Sequence, residues 1–360
     1  MKNKKNIAVG LSGGVDSSVA ALLLLEQGHC VVGLTMAIYD GSMTGEESGK
    51  HACYGPGEEE DIEKSSAVCK TLGIPYHVID LREDYRRHVI GYFRGEYLAG
   101  RTPNPCVVCN RMLKFGFLLE KAASAGISFD RFATGHYARV ERTNDRYILK
   151  RAVDKTKDQS YFLYSLAQQQ LSTSLFPLGS YTKSRVREIA RSSGLETADR
   201  VESQDFISGD YTTLFDKNEV TEGEIMDEFG RVLGRHRGII HYTIGQRKGL
   251  GIAAGRPVYV TDIDAVHNRI IVSDRESLLS KGLVAGEPVF IPFEALDRPL
   301  EVIAKIRFNH KGIPAKIHPV DNGKVKVMFE KPQHSVSPGQ SVVFYQDDTV
   351  VGGGIIERPI

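Results

Sequence analysis

Gly10-Leu11-Ser12-Gly13-Gly14-Val15-Asp16-Ser17-Ser18 joins a short apolar run, Ile7-Ala8-Val9, to an apolar stretch that runs to Glu26. A strand, a tight turn and a helix are the natural reading. Gly13 and Gly14 carry no Cβ, so the backbone can curl sharply and turn its N–H groups to one side. Ser12, Ser17 and Ser18 add hydroxyls. The start of the following helix adds unpaired amides and the positive end of its dipole. Gly10, Leu11, Ser12, Gly13, Gly14, Asp16 and Ser17 thus make a cradle for an anion of pyrophosphate size. No Lys follows the glycines, which excludes a Walker A loop. A plain Gly-rich turn is the bland alternative, and Ser-Gly-Gly-x-Asp-Ser directly behind a first strand is far more specific than that.

On either side of this loop, strand and helix patterns alternate. Val31 to Met36, Tyr76 to Asp80 and Arg131 to Thr134 read as buried strands. Ser17 to Glu26, Glu59 to Leu72, Asp84 to Leu98, Arg111 to Ala123 and Ser184 to Ser193 read as helices. Such alternation predicts a parallel sheet covered on both faces, an α/β fold. Met36 ends the second strand, where it can line an adenine pocket or serve as a core methionine. Beyond about Gly209 the texture changes. Pro257 to Val260, Arg269 to Val272, Lys324 to Phe329 and Ser341 to Tyr345 are short β-like runs between turn residues, as in small antiparallel sheets or barrels. Boundaries near 208 and 278 give domains 1–208, 209–278 and 279–360.

The second chemical signal is Arg101-Thr102-Pro103-Asn104-Pro105-Cys106-Val107-Val108-Cys109-Asn110. The prolines favour extended backbone. Two thiols three apart can share a metal, form a disulfide or pass a persulfide, and a helix start at Arg111 would lower a thiol pKa. Of the other cysteines, Cys30 and Cys69 sit in apolar patterns and read as inert core, whereas Cys53 follows the second strand, whose end faces the crevice of such a sheet.

Lys+Arg and Asp+Glu number 46 and 45, for a net charge of +1, so no global field draws the chain to nucleic acid. Local patches can. No acid lies between Phe229 and Thr261, which hold Arg231, Arg235, Arg237, Arg247, Lys248 and Arg256. Val302 to Val320 is also acid-free and carries Arg307. Both segments are candidate RNA surfaces. No apolar run approaches the roughly 20 residues of a membrane helix. The basic start at Lys2, Lys4 and Lys5 leads into a stretch broken by Ser12, Gly13, Gly14 and Asp16, unlike a signal peptide. A cytoplasmic protein without membrane contact is expected.

The loop resembles the PP-loop of ATP pyrophosphatases, which cleave ATP between the α- and β-phosphates. With the rest of the chain it resembles the bacterial tRNA-specific 2-thiouridylase (MnmA) family nearly end to end. The shared motifs include Gly100 to Pro105, Cys109-Asn110, Lys114-Phe115, Ala133 to Tyr137 and Lys157 to Leu163. Gly245 to Gly251, Ser337 to Gln340 and Gly352 to Ile356 follow in order. The resemblance implies a PP-loop (adenine nucleotide alpha hydrolase-like) domain, a small central domain and a C-terminal antiparallel β-barrel. It implies ATP and Mg²⁺, the latter on Asp16. It also implies adenylation of the 2-oxygen of a wobble uridine, then replacement by sulfur with loss of AMP. Cys109 matches the first catalytic cysteine, with Cys106 beside it. Gly135 and His136 fall at an ATP-contacting strand end. Arg101, Thr102, Pro103, Asn104, Lys157 and Gln159 fall near the target base, and Arg247, Lys248 and Arg307 join them as tRNA contacts. The sulfur donor would be a persulfide relay protein, a cysteine desulfurase or free sulfide.

One departure matters. The family's second catalytic cysteine follows a Ser-Gln-Asp, and here Ser203-Gln204-Asp205 is followed by Phe206 and Ile207. The usual two-thiol relay cannot run unchanged. Cys53, Cys106 and Cys109 are therefore candidate ligands of a 4Fe–4S cluster, with Asp205 as the alternative third ligand. The rival is a persulfide on Cys109 resolved by Cys106. Two other readings remain open: a small-molecule PP-loop ligase, against which the thiol pair and the β-rich C-terminal half count, and a sulfur-carrier or tRNA-binding protein without full catalysis, against which the intact loop counts.

Overall fold

In the computed structural model, which describes residues 4–42, 52–199, 205–207 and 209–360, the apolar run before the loop is β1 (Asn6–Gly10). Ile7, Ala8 and Val9 are fully buried. A strand apolar on both faces belongs in the middle of a covered parallel sheet. Here β1 pairs in parallel with β2 (Cys30–Ala37) on one side and with the strand Arg131–Thr134 on the other. Tyr76–Asp80 extends the sheet beyond β2, and the short Ser174–Leu175 extends it beyond Arg131–Thr134. The chain first winds outward from β1 through β2, then returns to β1's other side. The carboxyl end of β1 is therefore a topological switch point, where such sheets bind ligands.

Two compact units emerge: the described residues of 1–89, 106–211 and 348–350, and those of 90–105, 212–347 and 351–360. In the first, α1 (Val15–Glu26) covers the sheet. Val15, Val19 and Leu23 pack with Val186 and Ala190 of the helix Lys183–Ser192. Glu58–Leu72 is α2, closed by Gly73 in the left-handed conformation. The helical stretch expected from Arg111 begins instead at Pro105 and winds as a π-helix over Cys109–Phe117 before continuing to Ser124. Pro105 does not oppose this, because the first helical residue has no intrahelical N–H bond to lose.

The second unit contains a four-stranded sheet of Gly223–Asp227, Val232–His236, Tyr259–Asp264 and Arg269–Ser273, around Ile225, Val260, Ile270 and Val272. It also contains a closed antiparallel barrel of six strands, from Leu279–Phe290 to Thr349–Pro359, whose first and last strands pair. Val302, Ala304, Ile313, Ala315, Ile317, Val325 and Val327 alternate with outward residues and fill it. Among the described residues no helix is long and apolar enough to cross a membrane.

Candidate active site

The cavity at the switch point, of ≈ 330 Å³, lies within the first unit and brings two sets of residues together. At one end are Gly10, Leu11, Ser12, Gly14, Asp16, Ser17, Met36, Gly135 and His136. At the other are Cys53, Cys106, Cys109, Lys114, Tyr85, Gln159 and Phe206.

The loop end is built by local bonds. Gly13 has φ +65, the left-handed region where a side chain is strained. Gly14 caps α1 without any side-chain bond to the first-turn amides. Ser17 Oγ accepts from Ser12 N at 3.3 Å and donates to Gly14 O at 3.2 Å, which holds the turn closed. Gly135 closes the other wall. A Cβ there would stand 2.7 Å from Ser17 N and 2.8 Å from the carbonyl carbon of Asp16. Backbone cannot yield as a flexible side chain can. Gly135→Ala is therefore expected to displace the start of α1 and weaken adenine-nucleotide binding about tenfold. Equilibrium binding measures it, and an unchanged affinity would remove Gly135 from the site's framework.

Asp16 does not project alone. Lys183 Nζ donates to both its carboxylate oxygens at 2.8 Å, and Tyr137 Oη donates to Oδ1 at 2.8 Å. Lys183 is the first residue of its helix and is only 9% exposed at the side chain. Both helices begin at this end of the sheet, which is why residues so far apart in sequence meet. Nothing in the local sequence of Lys183 marks it; the signal was the pairing of two helix starts. His136 Nδ1 lies 2.7 Å from Thr134 Oγ1, and burial, helped by Lys114, holds its pKa well below the ordinary value. It is a neutral hydrogen-bonding ring. Met36 is half-buried and lines the cavity rather than the core.

The thiol end differs from expectation. Because the helix starts at Pro105, Cys106 and Cys109 lie inside it, half-buried, and line the cavity. No helix start at Arg111 lowers their pKa values. Burial raises Cys106 to about 12, with Cys53 and Cys109 adding to the rise and Lys114 opposing it. Burial likewise raises Cys109 to about 11 against the pull of Lys114. The π-winding accounts for Lys114. Its i to i+5 bonds bring residue 114 over residue 109, whereas α-helical winding would set them roughly 140° apart. Burial works against the Lys114 charge, but the facing thiols of Cys109, Cys53 and Cys106 more than offset it and raise its pKa.

Cys53 lies on Ala52–Tyr54, which pairs in parallel with Asp205–Ile207. Ala52 partners Asp205 and Tyr54 partners Ile207, so Cys53 and Phe206 are the intervening residues. The segment that lacks the expected cysteine therefore runs beside a strand that supplies one. Tyr54 and Tyr85 stack at 5.3 Å between ring centres, and Tyr85 and Phe206 at 6.4 Å, forming an aromatic wall. Burial, with the three thiols, pushes the Tyr85 hydroxyl far up. Tyr85, Lys114, Tyr137 and Lys183 are site residues to which the sequence alone assigned no role. The Asp205 side chain, Ser203 and Gln204 lie outside the described residues. Among the described residues no three His, Cys, Asp or Glu side chains surround a point closely enough to hold a single metal ion.

Other expected residues are elsewhere. Gln159 lines the cavity, its Oε1 accepting from Tyr137 N at 2.9 Å, but Lys157 does not. Arg101, Thr102, Pro103 and Asn104 belong to the second unit. There Gln340 Nε2 donates to the Thr102 and Pro103 carbonyls at 3.1 and 2.9 Å, and Pro103 and Asn104 are buried. Arg101 is exposed and ion-paired to Glu96. Arg247, Lys248 and Arg307 are exposed, in the second unit. Of the cysteines read as core, Cys69 is buried with its pKa raised by burial to about 12, but Cys30 is exposed. Cys30 opens β2, paired with Asn6, before the sheet is covered.

Three family models match the chain: "tRNA methyl transferase HUP domain" over residues 5–208, "tRNA methyl transferase PRC-barrel domain" over 212–274, and "Aminomethyltransferase beta-barrel domain" over 280–356. The tRNA-specific 2-thiouridylase MnmA 1 of Clostridium botulinum is 47% identical over 99% of this chain and 100% of its own. The tRNA-specific 2-thiouridylase MnmA of Acetivibrio thermocellus is likewise 47% identical, with the same coverage. Among solved structures, the NMN synthetase of Francisella tularensis aligns with TM-score 0.34 and 16% identity over 56% of this chain and 67% of that one, a likeness too weak to carry anything.

Proposed function

The chain belongs to the tRNA-specific 2-thiouridylase family, and from that premise we propose how its own residues carry the reaction. The protein is an ATP-dependent tRNA-uridine 2-sulfurtransferase. The observation that carries the mechanism is one cavity with a pyrophosphate cradle at one end and three thiols with a lysine at the other. A methyl-transfer reading, which the family-model descriptions suggest, has no use for such a cradle.

In the proposed sequence, ATP lays its β- and γ-phosphates against the amides of Gly13, Gly14 and the start of α1. The uridine O2 attacks the α-phosphorus and pyrophosphate leaves. The developing negative charge is met by fixed dipoles rather than by water that must reorganise. Sulfur then bonds to C2, and the C2–O bond breaks as AMP departs with the oxygen. Lys114 is placed to hold anionic sulfur near the thiols. Mg²⁺ is proposed to accompany the phosphates, with Asp16 as the loop's carboxylate; in the chain as folded Lys183 neutralises that carboxylate.

Cys53, Cys106 and Cys109 are our choice for the ligands of a 4Fe–4S cluster, since three thiols line one cavity wall and thiolates are its normal ligands. Asp205 remains the alternative ligand. When bound, the cluster would supply Lewis-acidic iron beside the three thiols, suited to binding and activating sulfide. Either a cluster or a persulfide relay needs Cys106 and Cys109 as thiolates, and burial raises both pKa values. The sulfur source is free sulfide, which replaces the oxygen at C2 without redox change, in a cytoplasmic setting. A persulfide relay protein or a cysteine desulfurase would serve instead only with a thiol reductant that is oxidised to a disulfide as the persulfide sulfur is released.

Arg247 and Lys248, with Arg307, are proposed tRNA phosphate contacts. Reversing both charges at Arg247 and Lys248 is expected to weaken tRNA binding and reduce the slope of log K against log salt by about 1–2, one counterion per lost contact. A salt series by filter binding tests this. An unchanged slope would shift the surface to the barrel segment around Arg307.

A further inference from the structure

The hairpin joining Gly223–Asp227 to Val232–His236 carries an outlier. Phe229 is 86% exposed at its tip, and Val232 beside it is 50% exposed. The turn is built to keep the ring outside. The buried Asp227 carboxylate accepts from Phe229 N at 3.1 Å, from Arg231 N at 2.8 Å and from Arg231 Nε at 3.1 Å. Gly230 N donates back to Asp227 O at 3.0 Å, with Gly230 at φ +83. These bonds fix the turn and leave the phenyl ring in solvent.

Its surroundings identify the ligand's chemistry. The Arg231 side chain, ion-paired to Asp227, is 77% exposed, and that of Arg256 is 56% exposed. The nearest acid in sequence, Glu228, faces Arg256 at 3.8 Å. An aromatic face flanked by exposed guanidinium groups is what an unpaired nucleobase and its phosphates take, through stacking plus charge. A protein partner would favour a wider apolar patch than one phenyl ring and its neighbour Val232.

We propose that Phe229 stacks on an unpaired base of the tRNA substrate, with Arg231 and Arg256 on the adjoining phosphates. This rests on tRNA being the substrate. The test uses the full chain. Because the sequence contains no tryptophan, Phe229→Trp puts a single indole at the contact. Its fluorescence should be quenched on titration with unmodified tRNA but not with heparin, a polyanion without bases, and tRNA affinity should stay near that of wild type. Phe229→Ala should lose about tenfold in tRNA affinity with the salt slope unchanged, since a stacked base and not a phosphate contact is lost. In turnover KM for tRNA should rise by a similar factor while kcat holds. Equal affinity of Phe229→Ala and wild type, or quenching by heparin as strong as by tRNA, would overturn the proposal and leave the tRNA reading standing. A wild-type chain that binds no tRNA would sink both.

Discussion

Asp16→Ala is expected to reduce AMP formation about a hundredfold or more, the scale seen when one stabiliser of developing charge is removed. The structure adds a second consequence. Lys183 is 9% exposed, and both its bonds to Asp16 vanish in the variant. Breaking a buried ion pair by removing one partner costs about 3 kcal/mol, so the melting temperature should fall as well. Two further variants separate stability from chemistry. Asp16→Asn keeps the shape and an acceptor for Tyr137 but loses the charge. Lys183→Met removes the partner instead. Combining them should recover most of the lost stability, since neither charge remains buried, while AMP formation stays low. If Asp16→Ala released AMP at the wild-type rate, or if the double variant regained activity, the loop would not be the phosphate site.

The second large effect lies at the thiols. Cys109→Ala should abolish 2-thiouridine while ATP is still cleaved in the presence of tRNA, because the cradle at the other end of the cavity is untouched. Cys106→Ala and Cys53→Ala should do the same if all three thiols hold a cluster, and each should lower the iron and sulfide bound by anaerobically reconstituted protein. A persulfide relay between Cys109 and Cys106 makes a different forecast: Cys53→Ala would thiolate normally and wild type would need no iron. Full thiolation by metal-free wild type would end the cluster reading. Normal iron content in Cys53→Ala would end only its choice of third ligand.

The loop's conformation was legible because it is written in contiguous residues: Gly13 takes φ +65, where glycine is free of strain, and Ser17 is five residues from the Ser12 it holds. The alternating strands and helices were legible for a similar reason, since burial leaves its period in the sequence. What escaped is what only tertiary structure assembles. Lys183 reaches Asp16 because two helices start at one sheet end. Cys53 comes beside Phe206 through a short parallel pairing of distant segments. Lys114 was visible in a motif, but its alignment with Cys109 depends on π-winding that no periodicity announced. Pro103 and Pro105 suggested extended chain up to Arg111, yet Pro105 opens the helix, and with that shift the thiols lie half-buried within it and are hard to ionise. The acid-free run from Phe229 to Thr261 was also less bare in space than in sequence. Arg231 and Arg256 meet Asp227 and Glu228, and Arg235 lies 3.6 Å from Glu222, all acids just outside the run.

The most direct measurement is an anaerobic turnover of the whole chain with unmodified tRNA, ATP, Mg²⁺ and sulfide, with nucleosides and nucleotides quantified from the same reaction. The expected result is 2-thiouridine, AMP and pyrophosphate in equal amounts, with all three lowered about a hundredfold or more in Asp16→Ala. Formation of 2-thiouridine accompanied by ADP, or without nucleotide cleavage, would contradict it.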